Sequence, residues 1–197
     1  MTRIDVGSVL RNSANLPFSD LVTRPTGAAV RRCIQTELAA LSEGDVALLD
    51  FSQIGMMDYS CADEVVAKLL LRYGAETPGS QAYFIFRGLN EAHRHAIEAA
   101  LSRYSLALVL EAHDGSACVV GAIDDEESKV WEAVREIGTA DVETVAATVG
   151  AEMRMTARVL DQLFDRRLVV RLDHRYIAIG ARGLARWGTM EGGGANG

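Results

Sequence analysis

Apolar and polar positions in the first 123 residues follow two alternating periods, one typical of strands and one typical of helices. Strands are predicted at residues 4–10, 46–51 and 82–86, and the apolar run at 46–51 is typical of a buried strand. Between them, apolar residues recur three and four positions apart, which predicts helices with one buried face. These faces consist of Val30, Cys33, Ile34, Leu38 and Leu41, then of Ala62, Val65, Val66, Leu69, Leu70 and Tyr73, and then of His93, Ala96, Ile97, Ala100 and Leu101. Thr26 and Asn90 are predicted to cap the first and third helices.

The alternation of strands with helices indicates an α/β fold. Right-handed crossovers between successive strands place these strands parallel in one sheet. Residues 106–111 and 117–123 form two further apolar runs on either side of Asp114 and Gly115. An Asp-Gly pair in this setting favours a tight hairpin, so we expect an antiparallel last strand. The predicted architecture is a mixed β-sheet flanked by helices.

The chain follows a different plan after the acidic segment 122–128, and we place a domain boundary between residues 123 and 124. Helical spacing predicts helices at 127–137, 142–149 and 153–166, and residues 168–179 predict a hairpin that turns near Asp173. Two helices across a short Gly-containing turn, followed by a hairpin, resemble a winged helix-turn-helix domain, a small α+β fold. We assign this domain to residues 124–188 and expect 1–123 to fold independently of it. Residues 189–197 are predicted to be a flexible tail.

Composition narrows the classes of function. The chain has 197 residues, of which 49% are hydrophobic, and a net charge of −7. The negative charge argues against indiscriminate nucleic-acid binding. No apolar run approaches the roughly 18 residues of a membrane span, and the first residues lack the apolar core of a signal peptide. We therefore expect a cytoplasmic protein.

Residues 48–63, LLDFSQIGMMDYSCAD, resemble the signature of STAS domains, the anti-sigma-factor-antagonist family. The shared pattern is a buried strand that ends in Asp, a short loop, and an Asp-Ser-Ser-Gly motif that opens a helix. The segment TRPTG at 23–27 is similar to the start of the preceding helix in a STAS-like subfamily. The resemblance implies a STAS-like fold over residues 1–123.

The same resemblance implies a function for the loop at 58–63. It points to a protein partner, by family analogy a kinase-like ATP-binding anti-sigma protein, that docks on Asp58, Ser60 and Asp63. It also implies that Ser60 is the phosphorylated residue of the motif. Tyr59 and Cys61 replace the first Ser and the Gly of the family pattern.

The residues themselves offer Ser60 a second role. A Ser before an apolar helical stripe, with Asp63 three positions later, is a capping arrangement worth about 1 kcal/mol. The two roles are compatible, because a helix N-terminus also tolerates a phosphate. A phosphate there would lie among Asp58, Asp63 and Glu64 and would repel an acidic partner.

Arginines are concentrated in the second predicted domain. Residues 153–186 contain eight arginines against three aspartates. Arg154 and Arg158 are predicted to lie one turn apart on the exposed face of a recognition helix, with Arg171 and Arg175 beside the wing turn, and arginines so placed suit base and phosphate contacts. The alternative is a protein-docking module in which Arg158 pairs with Asp161 or Gln162.

Sequence motifs of common enzyme classes are missing from the chain. It has no Walker A loop, GxGxxG, GxSxG or HExxH pattern, and no CxxC pair or other metal-ligand spacing. We therefore expect a non-enzymatic signalling adaptor without cofactor or metal, in which the winged helix binds DNA or a second protein. The alternative is a sequence-specific transcription regulator whose first domain senses or dimerises. The oligomeric state stays open.

Overall fold

A computed structural model describes residues 1–14, 19–41, 44–74 and 82–180. The first half contains β1 (Thr2–Asp5), α1 (Val6–Ala14), α2 (Arg24–Leu38), β2 (Val46–Asp50), α3 (Tyr59–Ala62), a π-helical turn (Asp63–Ala67), α4 (Lys68–Tyr73), β3 (Tyr83–Arg87), α5 (Glu91–Arg103), β4 (Ala107–Glu111) and β5 (Ala117–Gly121). The second half contains α6 (Asp125–Ile137), α7 (Val142–Val149), α8 (Met153–Asp165), β6 (Val169–Leu172) and β7 (Arg175–Ala178).

The strands of the first half form one sheet in chain order, β1-β2-β3-β4-β5. Strands β1 to β4 are parallel, and β5 is antiparallel to β4. The predicted mixed α/β sheet flanked by helices is thus confirmed. At the carboxyl ends of the parallel strands, Asp50 is the register partner of Arg87, and Arg87 that of Glu111. Arg87 and Glu111 form an ion pair.

The strand predicted at 4–10 is confirmed only up to Asp5. From Val6 onward the prediction is wrong, because these residues form α1. The Asp5 carboxylate accepts hydrogen bonds from the Ser8 amide (3.2 Å) and hydroxyl (2.8 Å), which satisfies a donor at the helix start. Val6, Val9 and Leu10 are buried. Their spacing of three positions and one position places them on one face of a helix.

The predicted cap at Thr26 is also wrong, because α2 begins earlier. Thr23 precedes the helix and Pro25 lies in its first turn, where a missing N–H costs nothing. The cap at Asn90 is confirmed. Its side chain accepts from the His93 amide at 2.9 Å, and the His93 ring faces back to the Asn90 amide.

The second half contains three helices and a hairpin close to the predicted positions. Asp124 and Asp141 cap α6 and α7, and Gly138 and Gly150, both with positive φ, follow these helices. Residue Ala140, between α6 and α7, forms an antiparallel bridge with Tyr176 of the hairpin.

The sheet is apolar on both faces, and each half of the chain covers one of them. Along β2, Ala47 and Leu49 belong to the core formed with helices α1 to α5. The alternate residues Val46 and Leu48 belong to a second core. That core also contains Tyr83, Ile85, Ala107, Val109, Val130, Trp131, Val134, Leu160, Leu163 and Ile179. The halves therefore share an apolar layer, which runs against our expectation of independent folding, and the boundary at residue 124 stays a prediction.

Candidate functional site

The loop after β2 is held by a short parallel pairing with the segment before α2. Leu21 and Met57 form a parallel bridge. The Leu21 amide donates to the Met56 carbonyl at 2.8 Å, and the Asp58 amide donates to the Leu21 carbonyl at 3.1 Å. Two segments more than 30 residues apart in sequence thus meet at the start of α3.

Asp58 is the cap of α3. One oxygen of its carboxylate accepts from the Cys61 amide (2.8 Å) and from the Ser60 hydroxyl (2.9 Å), and the other from the Thr23 amide (3.0 Å). The prediction that Ser60 caps the helix is therefore wrong: Ser60 is the second helical residue. Burial acts to raise the pKa of Asp58, but the hydrogen bonds from Thr23, Cys61 and Ser60 outweigh it, so the pKa is lowered.

Thr23 adopts a backbone conformation that β-branched residues rarely take, with φ 73°. The amide, the carbonyl and the hydroxyl of Thr23 each have a partner that holds this conformation. Its amide binds Asp58, its carbonyl accepts from the Cys61 thiol at 3.1 Å, and its hydroxyl lies 3.1 Å from that of Thr26. Strain that persists under such constraint is typical of functional loops.

Asp63 and Glu64 lie in the interior, with 1% and 3% of their surfaces exposed. Nη1 of Arg24 contacts Asp63 Oδ2 at 2.6 Å and Glu64 Oε1 at 2.8 Å, and Nη2 of Arg31 reaches Glu64 Oε2 at 3.2 Å. Lys68 pairs with Glu64 and lies 3.7 Å from Asp63. The two carboxylates are therefore neutralised inside the protein, as buried charges must be.

The hydrogen bonds of this network lower the pKa values of both acids against the effect of burial. Burial acts to raise the pKa of Asp63, but hydrogen bonds from Arg24 and from the Tyr104 hydroxyl, which lies 3.0 Å away, lower it overall. For Glu64, Lys68 and Arg24 lower the pKa against burial. Asp63 thus stabilises the loop from the protein interior. Of the three predicted residues, only Asp58 and Ser60 are partly exposed.

Exposed apolar side chains lie on the two paired segments next to Ser60. Met56 is 63% exposed, and Val22 and Tyr59 are each 38% exposed. Because segments 21–22 and 56–59 run side by side, these side chains border one patch with Ser60, which we call the Met56 surface. Sequence periodicity did not mark Val22 or Met56, since both lie outside helices and strands.

The predicted DNA-contacting arginines divide into two groups. Arg154 and Arg158 are exposed on α8 and form no ion pair with any residue in the described ranges. Arg171 pairs with Asp161 at 2.9 Å and lies over the Phe164 ring. The alternative pairing of Arg158 with Asp161 is therefore not formed, and Arg175 is exposed at the hairpin turn.

The arginine excess in 153–186 is smaller at the surface than in the sequence. Arg166 turns inward to bind both carboxylate oxygens of Glu127 (2.7 and 2.8 Å) and the Ala122 carbonyl. Arg167 lies over the rings of Tyr83 and Phe164. Arg182 and Arg186, like the predicted tail at 189–197, lie outside the described residues.

Within the described ranges, no three His, Cys, Asp or Glu side chains come together in a way that would hold a metal ion. No described helix combines the length and the apolar character needed to cross a membrane. Neither the models of known protein families nor the sequences of curated proteins contain a match to this chain.

Proposed function

We propose that this protein is a cytoplasmic, non-enzymatic signalling adaptor that binds a protein partner through the Met56 surface. The observation that carries the proposal is an exposed apolar patch, built on a constrained loop, with a hydroxyl at its edge. A few residues near the centre of a protein interface, often aromatic, carry most of the binding energy, and Tyr59 is the exposed aromatic residue of this surface. A loop held by Asp58 and Thr23 loses little conformational entropy on binding.

The resemblance of residues 48–63 to STAS domains supports the choice of partner, a kinase-like ATP-binding anti-sigma protein. It also supports phosphorylation of Ser60 as the switch. The Ser60 hydroxyl already donates to the Asp58 carboxylate at 2.9 Å. A phosphate in its place would face that carboxylate, so phosphorylation would disrupt the loop and repel the partner.

The test is binding of the full chain to a purified anti-sigma ATPase of the same host, measured by fluorescence anisotropy. Ser60→Asp should weaken the complex at least tenfold, while the neutral, matched Ser60→Asn changes it little. Met56→Glu should weaken it as well, whereas Leu71→Glu, at an exposed site on α4, should not. Equal affinity of Ser60→Asp and Ser60→Asn would refute the switch, and an unaffected Met56→Glu would refute the surface.

A second candidate function is sequence-specific DNA binding by a winged helix in residues 124–188. It is favoured by the exposed Arg154 and Arg158 on α8, which follows α7 after a short turn. The bridge of Ala140 to Tyr176 supports the winged-helix assignment, because it adds a short third strand to the hairpin. In this alternative the first half senses a signal or dimerises.

Gel-shift titration on genomic fragments at two salt concentrations tests the second candidate. Arg154→Gln with Arg158→Gln should weaken binding, and the salt slope should fall by about 1 for each phosphate that the variant no longer neutralises. Arg32→Gln, at an exposed position of α2, is the matched control. If the wild-type chain binds no fragment at low salt, the second half is a protein-docking module instead.

A further inference from the structure

A cavity of about 560 Å³ lies where the two halves of the chain meet. Pockets for small molecules span roughly 300–1,000 Å³ and are frequent between domains. Its apolar wall comes from α4 and from the amino-terminal ends of β3 and β4, and it includes Leu70, Leu71, Tyr73, Phe84 and Leu106. The residues at and after the end of α8 that line the cavity are Asp165, Arg166 and Arg167. We call this space the seam cavity.

The two arginines of the seam cavity differ in how their charges are satisfied. Arg166 is engaged by Glu127 and by the Ala122 carbonyl. Arg167 has no acidic partner among the residues that the structure describes. In the described ranges, its Nη1 lies 3.4 Å from the Tyr83 hydroxyl and its guanidinium lies over the rings of Tyr83 and Phe164, while its Nε is buried without a hydrogen bond. The aromatic rings attract the cation but do not neutralise it, so an anion that enters the cavity would gain a charged hydrogen-bonding partner in Arg167.

Arg167 has an uncommon backbone conformation. Its φ of 61° is in the left-handed region, where the chain leaves α8 and the Leu168 amide returns to the Leu163 carbonyl at 2.9 Å. Glycine usually occupies such a position because it avoids a cost of about 1 kcal/mol. Arg167 occupies this position although it is not glycine, and it lines the cavity there.

We propose that the seam cavity binds an amphipathic monocarboxylate, with its apolar chain against Leu70, Tyr73 and Phe84 and its carboxylate on Arg167. A planar guanidinium binds a carboxylate through paired hydrogen bonds, which would satisfy Nε. The exposed Asp165 at the rim disfavours ligands with further negative charge. Because both halves line the cavity, bound ligand stabilises their packing, a property separate from partner docking at the Met56 surface.

Isothermal titration of the full chain with sodium octanoate tests the proposal, with octylamine and octanol as matched probes of opposite and no charge. Octanoate should bind and raise the melting temperature, octanol should bind more weakly, and octylamine should not bind. Arg167→Gln should weaken octanoate binding about tenfold or more. Arg32 on α2 is exposed and does not line the cavity, so the control variant Arg32→Gln should leave octanoate binding unchanged.

A second pair of variants keeps the test valid if Arg167→Gln folds poorly. Leu71 is 45% exposed at the cavity, so both Leu71→Glu and Leu71→Gln should fold. The added charge of Leu71→Glu should weaken octanoate binding several-fold relative to Leu71→Gln. Absence of octanoate binding to the wild-type chain, equal binding of octylamine, or equal affinity of both Leu71 variants would overturn the proposal.

Discussion

Arg24 and Asp63 are 39 positions apart in the chain, yet Nη1 of Arg24 lies 2.6 Å from Oδ2 of Asp63. The contact fastens the first turn of α2 to the π-helical turn behind α3. Glu64 shares the same guanidinium. The loop that carries Ser60 is therefore anchored by a buried ionic cluster rather than by apolar packing alone.

We predict that this cluster makes the stability of the protein sensitive to acid. The pKa values of Asp63 and Glu64 are lowered from 3.8 and 4.5 in the folded state. Carboxyls with a lowered folded pKa add stability above their unfolded values, and the stability is lost as the pH falls through the folded ones. Urea melts at pH 7, 4 and 3 should show a declining free energy of unfolding.

The matched comparison is the double variant Asp63→Asn with Glu64→Gln, which cannot titrate at these positions. It should be less stable at pH 7, because Arg24 and Lys68 lose their partners. Its stability should decline less between pH 7 and pH 3 than that of the wild-type chain. Parallel declines would show that other carboxyls account for the acid sensitivity.

We predict that Gly88→Ala destabilises the protein far more than Gly115→Ala. Both glycines have positive φ, 74° and 77°, so each substitution costs about 1–2 kcal/mol in strain. At Gly88 the new methyl would also lie 2.7 Å from the Ser52 Cα, whereas at Gly115 it meets nothing within 4 Å. Overpacking adds about 1–3 kcal/mol. Chemical denaturation of both variants gives the difference, and equal losses would contradict it.

We predict that residues 1–123 do not form a stable domain alone. Without the second half, the face of the sheet that carries Val46, Leu48, Tyr83, Ile85 and Val109 is exposed to water. Large exposed apolar patches lead to aggregation or loss of specific packing. The truncated chain should bind a hydrophobic dye and melt without cooperativity, and a cooperative melt at the full-length midpoint would contradict this.

Arg166→Gln should cost about 3–5 kcal/mol, since it leaves the Glu127 carboxylate without its cation in a largely buried site. The Glu127 side chain is 10% exposed and that of Arg166 is 24% exposed. Arg175→Gln, at an exposed turn of the same unit, should change stability by less than about 0.5 kcal/mol. Thermal melts of both variants measure the contrast. Losses of similar size would mean that the Arg166 pair is not structural.

The elements predicted from the sequence are those with strong local patterns. Strand β2 follows from an unbroken apolar run, and α8 from the helical spacing of Val159, Leu160 and Leu163. Helix α1 was missed because Val6 and Leu10, four positions apart, fit both the strand period and the helix period in a short window. The capping bonds from Ser8 to Asp5 that decide between them depend on side-chain geometry.

The candidate site was predictable only in part, for a related reason. The motif at 58–63 pointed to Asp58 and Ser60, but the supports of Asp63 come from positions 39 and 41 residues away, Arg24 and Tyr104. No local spacing signals such contacts. Only Glu64 and Lys68, four positions apart, carried a helical pairing signal. The inward turn of Arg166 likewise depends on Glu127, 39 positions earlier.

A sheet that is apolar on both faces lacks the usual protection against a slipped strand. In most sheets a shift by one residue sends polar side chains into the core. Here a shifted β3 would only exchange Phe84 and Phe86 for Tyr83 and Ile85, and both sets are apolar. The free-energy cost of a shifted register arises at the ends of the strands. There the shift would separate Arg87 from its register partners Asp50 and Glu111. The charged residues at the carboxyl ends of these strands therefore favour the correct strand register.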